Sequence, residues 1–148
     1  MSEQKSVQLR WQAAKDTEPG REGAVLGERR GNRFWIVFNR PRRFNAFTNA
    51  MYDIYKDLIA VANEDPEVKF IVVTGNGGTF SSGNDLGNFT NPHYMGIAEM
   101  RQISEVAAEH LRQFSSAIIN SRKPIFALVE GKIIGFADAR AVDVEFAI

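Results

Sequence analysis

Val68-Lys69-Phe70-Ile71-Val72-Val73-Thr74 runs directly into Gly75-Asn76-Gly77-Gly78-Thr79-Phe80-Ser81-Ser82-Gly83-Asn84-Asp85-Leu86-Gly87-Asn88-Phe89. The first stretch is mostly β-branched and apolar, which predicts a strand buried on both faces, as in a parallel sheet. The second holds five glycines and predicts a long loop at the carboxyl end of that strand. In open α/β sheets such loops are where ligands bind. Glycine there permits positive φ and lets a ligand approach main-chain N–H groups. Neither G-x-x-x-x-G-K-[ST] nor G-x-G-x-x-G occurs in it, so it is not one of the common phosphate loops.

Elements on the amino side supply a hairpin and, with this strand, complete a βαβ unit. Ala24 to Arg29 predicts a strand, Gly31-Asn32 a tight turn with positive φ, and Arg33 to Asn39 a second strand. That strand carries Phe34, Ile36 and Phe38 on one face and Trp35 and Val37 on the other. Pro41 ends it, because proline cannot donate to a ladder. Thr48 is a helix N-cap. Met51, Ile54, Tyr55, Leu58, Ile59 and Ala62 then form one helical stripe up to Asp65-Pro66.

On the carboxyl side, Ile97 to Asn120 predicts a helix with Met100, Ser104, Ala107, Leu111, Phe114 and Ile118 on one side. Pro124 to Val129 predicts another buried strand. Gly131 and Gly135 punctuate the turn that leaves it. Val142 to Ile148 alternates strictly and predicts a last strand. The fold class is α/β. Residues 1–23 are expected to be a polar, flexible arm, and 24–148 one folded core. Two glycine turns after two parallel strands can aim two backbone N–H groups at one point, which is oxyanion-hole geometry. They can equally be nothing more than tight connections.

Composition narrows the function classes. The 148 residues are 44% hydrophobic and 24% charged, with no cysteine and zero net charge. That excludes a disulfide scaffold, a thiolate zinc site and a cysteine nucleophile. It does not favour wholesale nucleic-acid binding, and no apolar run reaches the roughly 20 residues of a membrane helix. The neutrality hides an asymmetry: residues 1–43 carry ten Lys/Arg and five Asp/Glu, the remainder eight and thirteen. Arg29, Arg30, Arg33, Arg40, Arg42 and Arg43 follow one another with no acid between them. By residue type this is a solvated, edge-protecting run; its functional alternative is a site for a phosphorylated ligand. His93 and His110 have no second ligand at metal spacing, so no metal is expected.

Asn39-Arg40-Pro41, Asn45-Ala46-Phe47, Ile71-Val72-Val73-Thr74-Gly75, Phe80-Ser81-Ser82-Gly83-Asn84-Asp85-Leu86 and Lys123-Pro124-Ile125-Phe126-Ala127-Leu128-Val129-Glu130-Gly131 with Gly135 resemble the crotonase (enoyl-CoA hydratase/isomerase) superfamily in order and spacing. Ser82 to Phe89 resembles the peroxisomal-type enoyl-CoA delta isomerases within it. The resemblance implies the amino-terminal core part of a spiral of ββα units, without the family's C-terminal helices. It implies acyl-CoA thioester substrates, no cofactor beyond the coenzyme A they carry, and trimers that pair into hexamers. It implies oxyanion donors at the N–H groups of Asn84 and Phe136. CoA and substrate contacts fall at Arg42, Arg43, Phe44, Asn45, Ala46, Ser82, Gly83, Asp85, Leu86 and Gly135. Arginine suits the CoA phosphates bidentately.

The same resemblance marks departures. Hydratases of the family carry a glutamate four residues after the helix-opening glycine, which here is Ala139. The isomerase glutamate lies after the next strand, where this chain has no residue. Asp138 and Arg140 stand where apolar residues are expected, and Asp138 is the nearest candidate acid. Asp85 is expected to order its turn through backbone bonds. The implied activity is an enoyl-CoA isomerase-type shift of unsaturated fatty acyl-CoA in peroxisome or mitochondrion. The alternative is a truncated or degenerate acyl-CoA-binding or interaction module without a catalytic base.

Overall fold

The computed structural model describes residues 23–88 and 97–134, apart from the side chains of 97–100. Residues 1–22 of the expected arm, the end of the loop at Phe89 and the expected strand at 142–148 lie outside the described residues.

A hairpin opens the fold. β1 (Val25–Arg30) and β2 (Arg33–Phe38) are antiparallel, with Arg30 opposite Arg33. Gly31 takes φ 61°, whereas Asn32 keeps negative φ. The turn thus needs its special conformation at the first central residue only, as two-residue hairpins with a leading glycine do. α1 (Asn49–Glu64) follows, and Thr48 Oγ1 accepts from the Met51 N–H at 3.3 Å. β3 (Phe70–Gly75) is parallel to β2. Inside the expected long loop a three-residue strand forms, β4 (Thr79–Ser81). α2 (Ile97–Ile119), β5 (Ile125–Leu128) and β6 (Lys132–Ile133) complete the described elements. The main sheet has the order β1-β2-β3-β5, and β4 pairs in parallel with β6 in a small second sheet.

The two helices cover one sheet face. Phe34, Ile36, Phe38, Ile71 and Val73 meet Met51, Tyr55, Leu58, Ile59 and Ala62 of the predicted α1 stripe. Phe114 brings α2 into this core, its ring 4.9 Å from Tyr55, 5.1 Å from Tyr52 and 5.8 Å from Phe47. Burial pushes the Tyr52 phenol up to about 12, so it stays neutral. Gly27 is where β1 passes α1: a Cβ there would stand 2.4 Å from a Leu58 methyl.

On the opposite face Arg30 and Arg33 stack over Trp35 and Phe70, at 5.6 and 5.8 Å from the ring centroids. These arginines, and Arg29 paired with Asp65 at 3.3 Å, are engaged side chains rather than a uniformly solvated face.

Two expectations need correction. The sequence predicts a buried strand over Pro124–Val129, yet β5 is half-buried and Leu128 is 41% exposed. The reason is topological: β5 is the edge of the four-stranded sheet among the described residues. The expected α2 stripe departs at Ser104. Ser104 is exposed, while Leu111, Phe114 and Ile118 pack on the core.

Replacing Phe114 with Ala should cost about 3–5 kcal/mol, the range for a buried aromatic truncation. The exposed Val61→Ala change should stay within about 0.5 kcal/mol. Urea unfolding of both variants checks the difference.

Candidate functional site

β2 and β3 end side by side, with Phe38 opposite Gly75, so the segments leaving them share one end of the sheet. Asn76 donates its N–H to Phe38 O at 2.8 Å, and its side-chain amide to Asn39 Oδ1 at 2.9 Å. After Asn39 the chain turns sharply through a 3-10 turn at Pro41–Arg43. Phe44 and Asn45 follow with φ 51° and 53°. Left-handed backbone is ordinary for asparagine but costly for phenylalanine. Such strain persists only where the surroundings dictate it.

Here Asn45 dictates it. Its side chain is fully buried. Its Oδ1 accepts from the Arg40 N–H at 2.8 Å, and its Nδ2 donates to Asn76 O at 2.9 Å and Thr79 O at 2.6 Å. Its carbonyl accepts from Ser81 Oγ at 2.9 Å. One side chain therefore ties the turn after β2 to the loop after β3. That loop must come close for this to happen. A Cβ on Gly77 would stand 2.4 Å from Pro41 Cβ, and one on Gly75 would stand 2.3 Å from Thr79 O.

The loop then runs beside Phe44–Phe47 as a short parallel pairing. Ser82 N–H donates to Phe44 O at 2.9 Å, Phe47 N–H to Gly83 O at 2.8 Å, and Asp85 N–H to Phe47 O at 2.8 Å. Ser81 Oγ accepts from the Gly83 N–H at 3.1 Å. The Asn84 N–H lies between these clamped peptides and donates to no described residue. Asn84 is exposed. A fixed, exposed and uncommitted N–H can polarise a carbonyl oxygen placed on it.

Arg40 holds the far side. It is 5% exposed, and its Nη1 donates to Asp85 Oδ2 at 2.8 Å and Ala46 O at 2.6 Å. Asp85 Oδ1 accepts from the Gly87 N–H at 2.8 Å, the turn-ordering role expected of it. Burial works to raise the Asp85 pKa. The Arg40 hydrogen bond, the Gly87 N–H and the Arg40 and Arg43 charges outweigh it, and hold the carboxyl below its usual range. Asn88 Nδ2 donates to Phe47 O and Asn84 Oδ1, while its Oδ1 accepts from the Asn49 N–H. This asparagine links the loop to the start of α1.

The second glycine turn lies against the first. Gly131 bridges Thr79 with φ 70°, and a Cβ on it would stand 2.1 Å from Gly78 O. Ile134 N–H donates to Ser81 O at 3.0 Å. The residue before Gly135 is thus bonded to a residue three before Asn84. Gly135, Phe136, Asp138, Ala139 and Arg140 lie outside the described residues, as does His93.

The other predicted site residues fall into two groups. Arg42, Arg43 and Phe44 are exposed on the turn, Phe44 at 63%, and Leu86 is exposed on the loop. Asn45 and Gly83 are buried, while Ala46, Ser82 and Asp85 are half-buried. His110 is bonded through Nδ1 to Asp53 at 3.1 Å, between α2 and α1 and away from the loops. No three-residue metal cluster exists among the described residues, and no described helix is long and apolar enough to cross a membrane. Sequence reasoning missed Arg40 and Asn88 as site residues. Arg40 left two signals, its place in the Asn39-Arg40-Pro41 motif and its position between a buried strand and Pro41, inside the turn rather than on the edge.

Comparison with known proteins gives a consistent set of likenesses. The sequence profile described as enoyl-CoA hydratase/isomerase matches residues 29–139. Human enoyl-CoA delta isomerase 2 is 37% identical over 102 residues, covering 69% of this chain and 25% of that protein. Mouse peroxisomal enoyl-CoA delta isomerase 3 is 35% identical over 102 residues, covering 69% and 31%. The chain therefore spans about a quarter to a third of the length of these relatives. Among solved structures, an enoyl-CoA hydratase from Mycobacterium marinum superposes with TM-score 0.56 at 25% identity, covering 72% of this chain and 47% of that one. DspI of Pseudomonas aeruginosa shares the fold with TM-score 0.69 at 23% identity, covering 89% and 47%.

Asn45→Ala strands a buried N–H and two buried carbonyls, each worth about 1–3 kcal/mol. It should lower stability by about 3 kcal/mol or more in urea titrations. Asp85 titrates below its unfolded value, so its contribution is present above the usual carboxylate range and is lost as pH falls through its lowered folded pKa. Asp85→Asn should flatten that acid limb in unfolding measured from pH 7 to pH 3 (roughly the span across carboxylate titration).

Proposed function

The chain belongs to the enoyl-CoA hydratase/isomerase family, and on that premise we propose that its folded core is the thioester-polarising and CoA-holding part of an isomerase-type site. The observation that carries this reading is the uncommitted Asn84 N–H, fixed between peptides bonded to Phe47.

The substrate class is an unsaturated fatty acyl-CoA. The thioester oxygen accepts from the Asn84 N–H and from a second backbone donor, assigned to Phe136. Removing a proton from C2 of a 3-enoyl thioester sends charge onto that oxygen as an enolate; returning a proton at C4 gives the 2-enoyl form. One such donor is worth about 3–4 kcal/mol in the transition state. Backbone donors leave the side chains at both positions free to vary.

CoA is held by the Arg42–Ala46 turn. Arg42 and Arg43 project from it into solvent, where their guanidinium groups can meet phosphate. The buried Asn45 keeps the turn in shape. Gly83, with φ 88°, supplies the backbone freedom at the Asn84 turn, and Gly135 is assigned to the substrate site with it. Ser82, Asp85 and Leu86 border the thioester. No cofactor beyond the coenzyme A of the substrate is called for.

The step needs a base, and Asp85, the carboxylate next to Asn84, does not supply it. Asp85 is committed to Arg40 and Gly87. The position of the hydratase glutamate is Ala139, whose methyl group cannot move a proton. This favours a double-bond shift over hydration as the activity. Oligomerisation as trimers and hexamers, and residence in peroxisome or mitochondrion, belong to the same proposal.

Calorimetric titration with CoA and with a 3-enoyl-CoA tests the reading. Both should bind, and Arg42→Ala with Arg43→Ala should weaken both by roughly tenfold, about 1.4 kcal/mol, with greater effect at low salt. Binding without a double-bond shift agrees with a base supplied from elsewhere. Turnover at ordinary rates, on the order of 1–1,000 per second, overturns the reading that the base is missing from this chain. Failure to bind either ligand overturns the whole reading.

A further inference from the structure

Arg40 and Asp85 form an ion pair whose two members are unequally placed. The Arg40 side chain is 6% exposed and that of Asp85 20%. The pair stands beside the Asn84 peptide, because Asp85 is its immediate neighbour and Asp85 N–H is bonded to Phe47 O. A carboxylate next to a donor that must face growing negative charge is unfavourable unless its own charge is cancelled. Arg40 is placed to cancel it, and the same guanidinium fixes where it lies. Nη1 bonds at once to Asp85 Oδ2 and to Ala46 O. The Arg40 backbone is anchored separately, its N–H to Asn45 Oδ1 and its carbonyl to the Arg43 and Asn45 N–H groups. Arg40 Nε is buried with no acceptor among the described residues. A buried cation that leaves a donor unmatched is retained at a stability cost, which is poorly explained by stability alone.

We propose that Arg40 is a positioning residue that sets both the orientation of, and the electrostatic potential at, the Asn84 N–H by holding and neutralising Asp85. The inference rests on the assignment of Asn84 as a thioester donor. Arg40 does not touch the reacting atoms; it acts through Asp85. Its removal leaves an uncompensated negative charge beside the donor. Removal of the Asp85 charge leaves an uncompensated positive one. The two changes must therefore act in opposite directions on any negative charge forming at this peptide, whereas mere loosening of the loop acts in one direction.

Two measurements read that sign. The first needs no ligand. Hydroxide-catalysed exchange removes the Asn84 amide proton and leaves a transient anionic peptide, so its rate follows the local potential. In the ligand-free chain, followed by nuclear magnetic resonance, Arg40→Gln should slow Asn84 exchange by about tenfold and Asp85→Asn should speed it by a similar factor. A unit charge a few ångströms away at an effective dielectric near 20 has roughly that effect or more. The double variant should return close to the parent rate. The second measurement uses acetoacetyl-CoA, which loses its C2 proton to solvent to give an absorbing enolate. The pH midpoint of the bound ligand should rise by on the order of one unit in Arg40→Gln and fall similarly in Asp85→Asn.

Shifts of the same sign in both single variants overturn the proposal, as does an exchange rate that moves less than about twofold in both. Should Arg40→Gln fail to fold by circular dichroism, Asp85→Asn decides alone: faster exchange at Asn84 with the bonded Ser82 and Phe47 amides unchanged supports the proposal, and unchanged or slower exchange, or all three amides faster together, overturns it. If the parent chain binds no acyl-CoA, the functional reading fails while the exchange measurement still decides what Arg40 does to this N–H.

Discussion

The buried carboxamide of Asn45 is the constraint on which the rest of the site depends. It sits where two parallel strands have ended, and backbone groups there can no longer satisfy one another along a ladder. Its three side-chain bonds, to the Arg40 N–H and to the carbonyls of Asn76 and Thr79, replace that ladder across the gap. Leaving such groups unmatched costs more than making the bonds gains, so the turn and the loop are held together mainly by the penalty of separating them. The same bonds hold Phe44 in left-handed backbone, a conformation that costs about 1–3 kcal/mol. The strain puts an aromatic ring in solvent and carries the chain back under the loop.

From that tie the charges sort themselves. Six arginines read alike in the sequence, but the turn separates them. Arg29, Arg30 and Arg33 belong to the hairpin and its neighbours: one pairs with Asp65 and two lie over Trp35 and Phe70. Arg42 and Arg43 lie on the outside of the 3-10 turn and keep their heads in water. Arg40, two residues before Arg42, falls on the inside and meets Asp85. One helical turn of chain divides charges available to a ligand from a charge committed within the loop.

The parts of this arrangement that repeat were legible in the sequence. The α1 stripe, the capping by Thr48, the hairpin and the β3 strand all follow from periodicity and cap chemistry, and each is present. The parts that depend on partners distant in sequence were not. β4 and β6 are too short to show a period, and each exists because the other is beside it. β5 carries the apolar run of a central strand but stands at the described edge of the sheet, since composition reports apolarity and not strand order. Among the site residues, Asn84 and Asp85 were marked by their loop, but the partner that fixes Asp85 lies 45 residues away. A single arginine between a strand and a proline gave its place in the turn and not its partner.

Ser81 shows why the two glycine turns behave as one unit. Its hydroxyl donates to Asn45 O and accepts from the Gly83 N–H, while its carbonyl accepts from the Ile134 N–H. One fully buried serine thus touches the turn after β2, the loop that presents Asn84 and the strand leading to Gly135. A glycine keeps this contact close: a side chain at Gly131 would strike the Gly78 carbonyl of the first loop, while one at Gly75 would strike the Thr79 and Phe80 carbonyls within that loop. Turns that share a buried serine and a parallel strand pair have their spacing set during folding, and preorganisation of that kind is what makes an N–H such as that of Asn84 effective against developing charge.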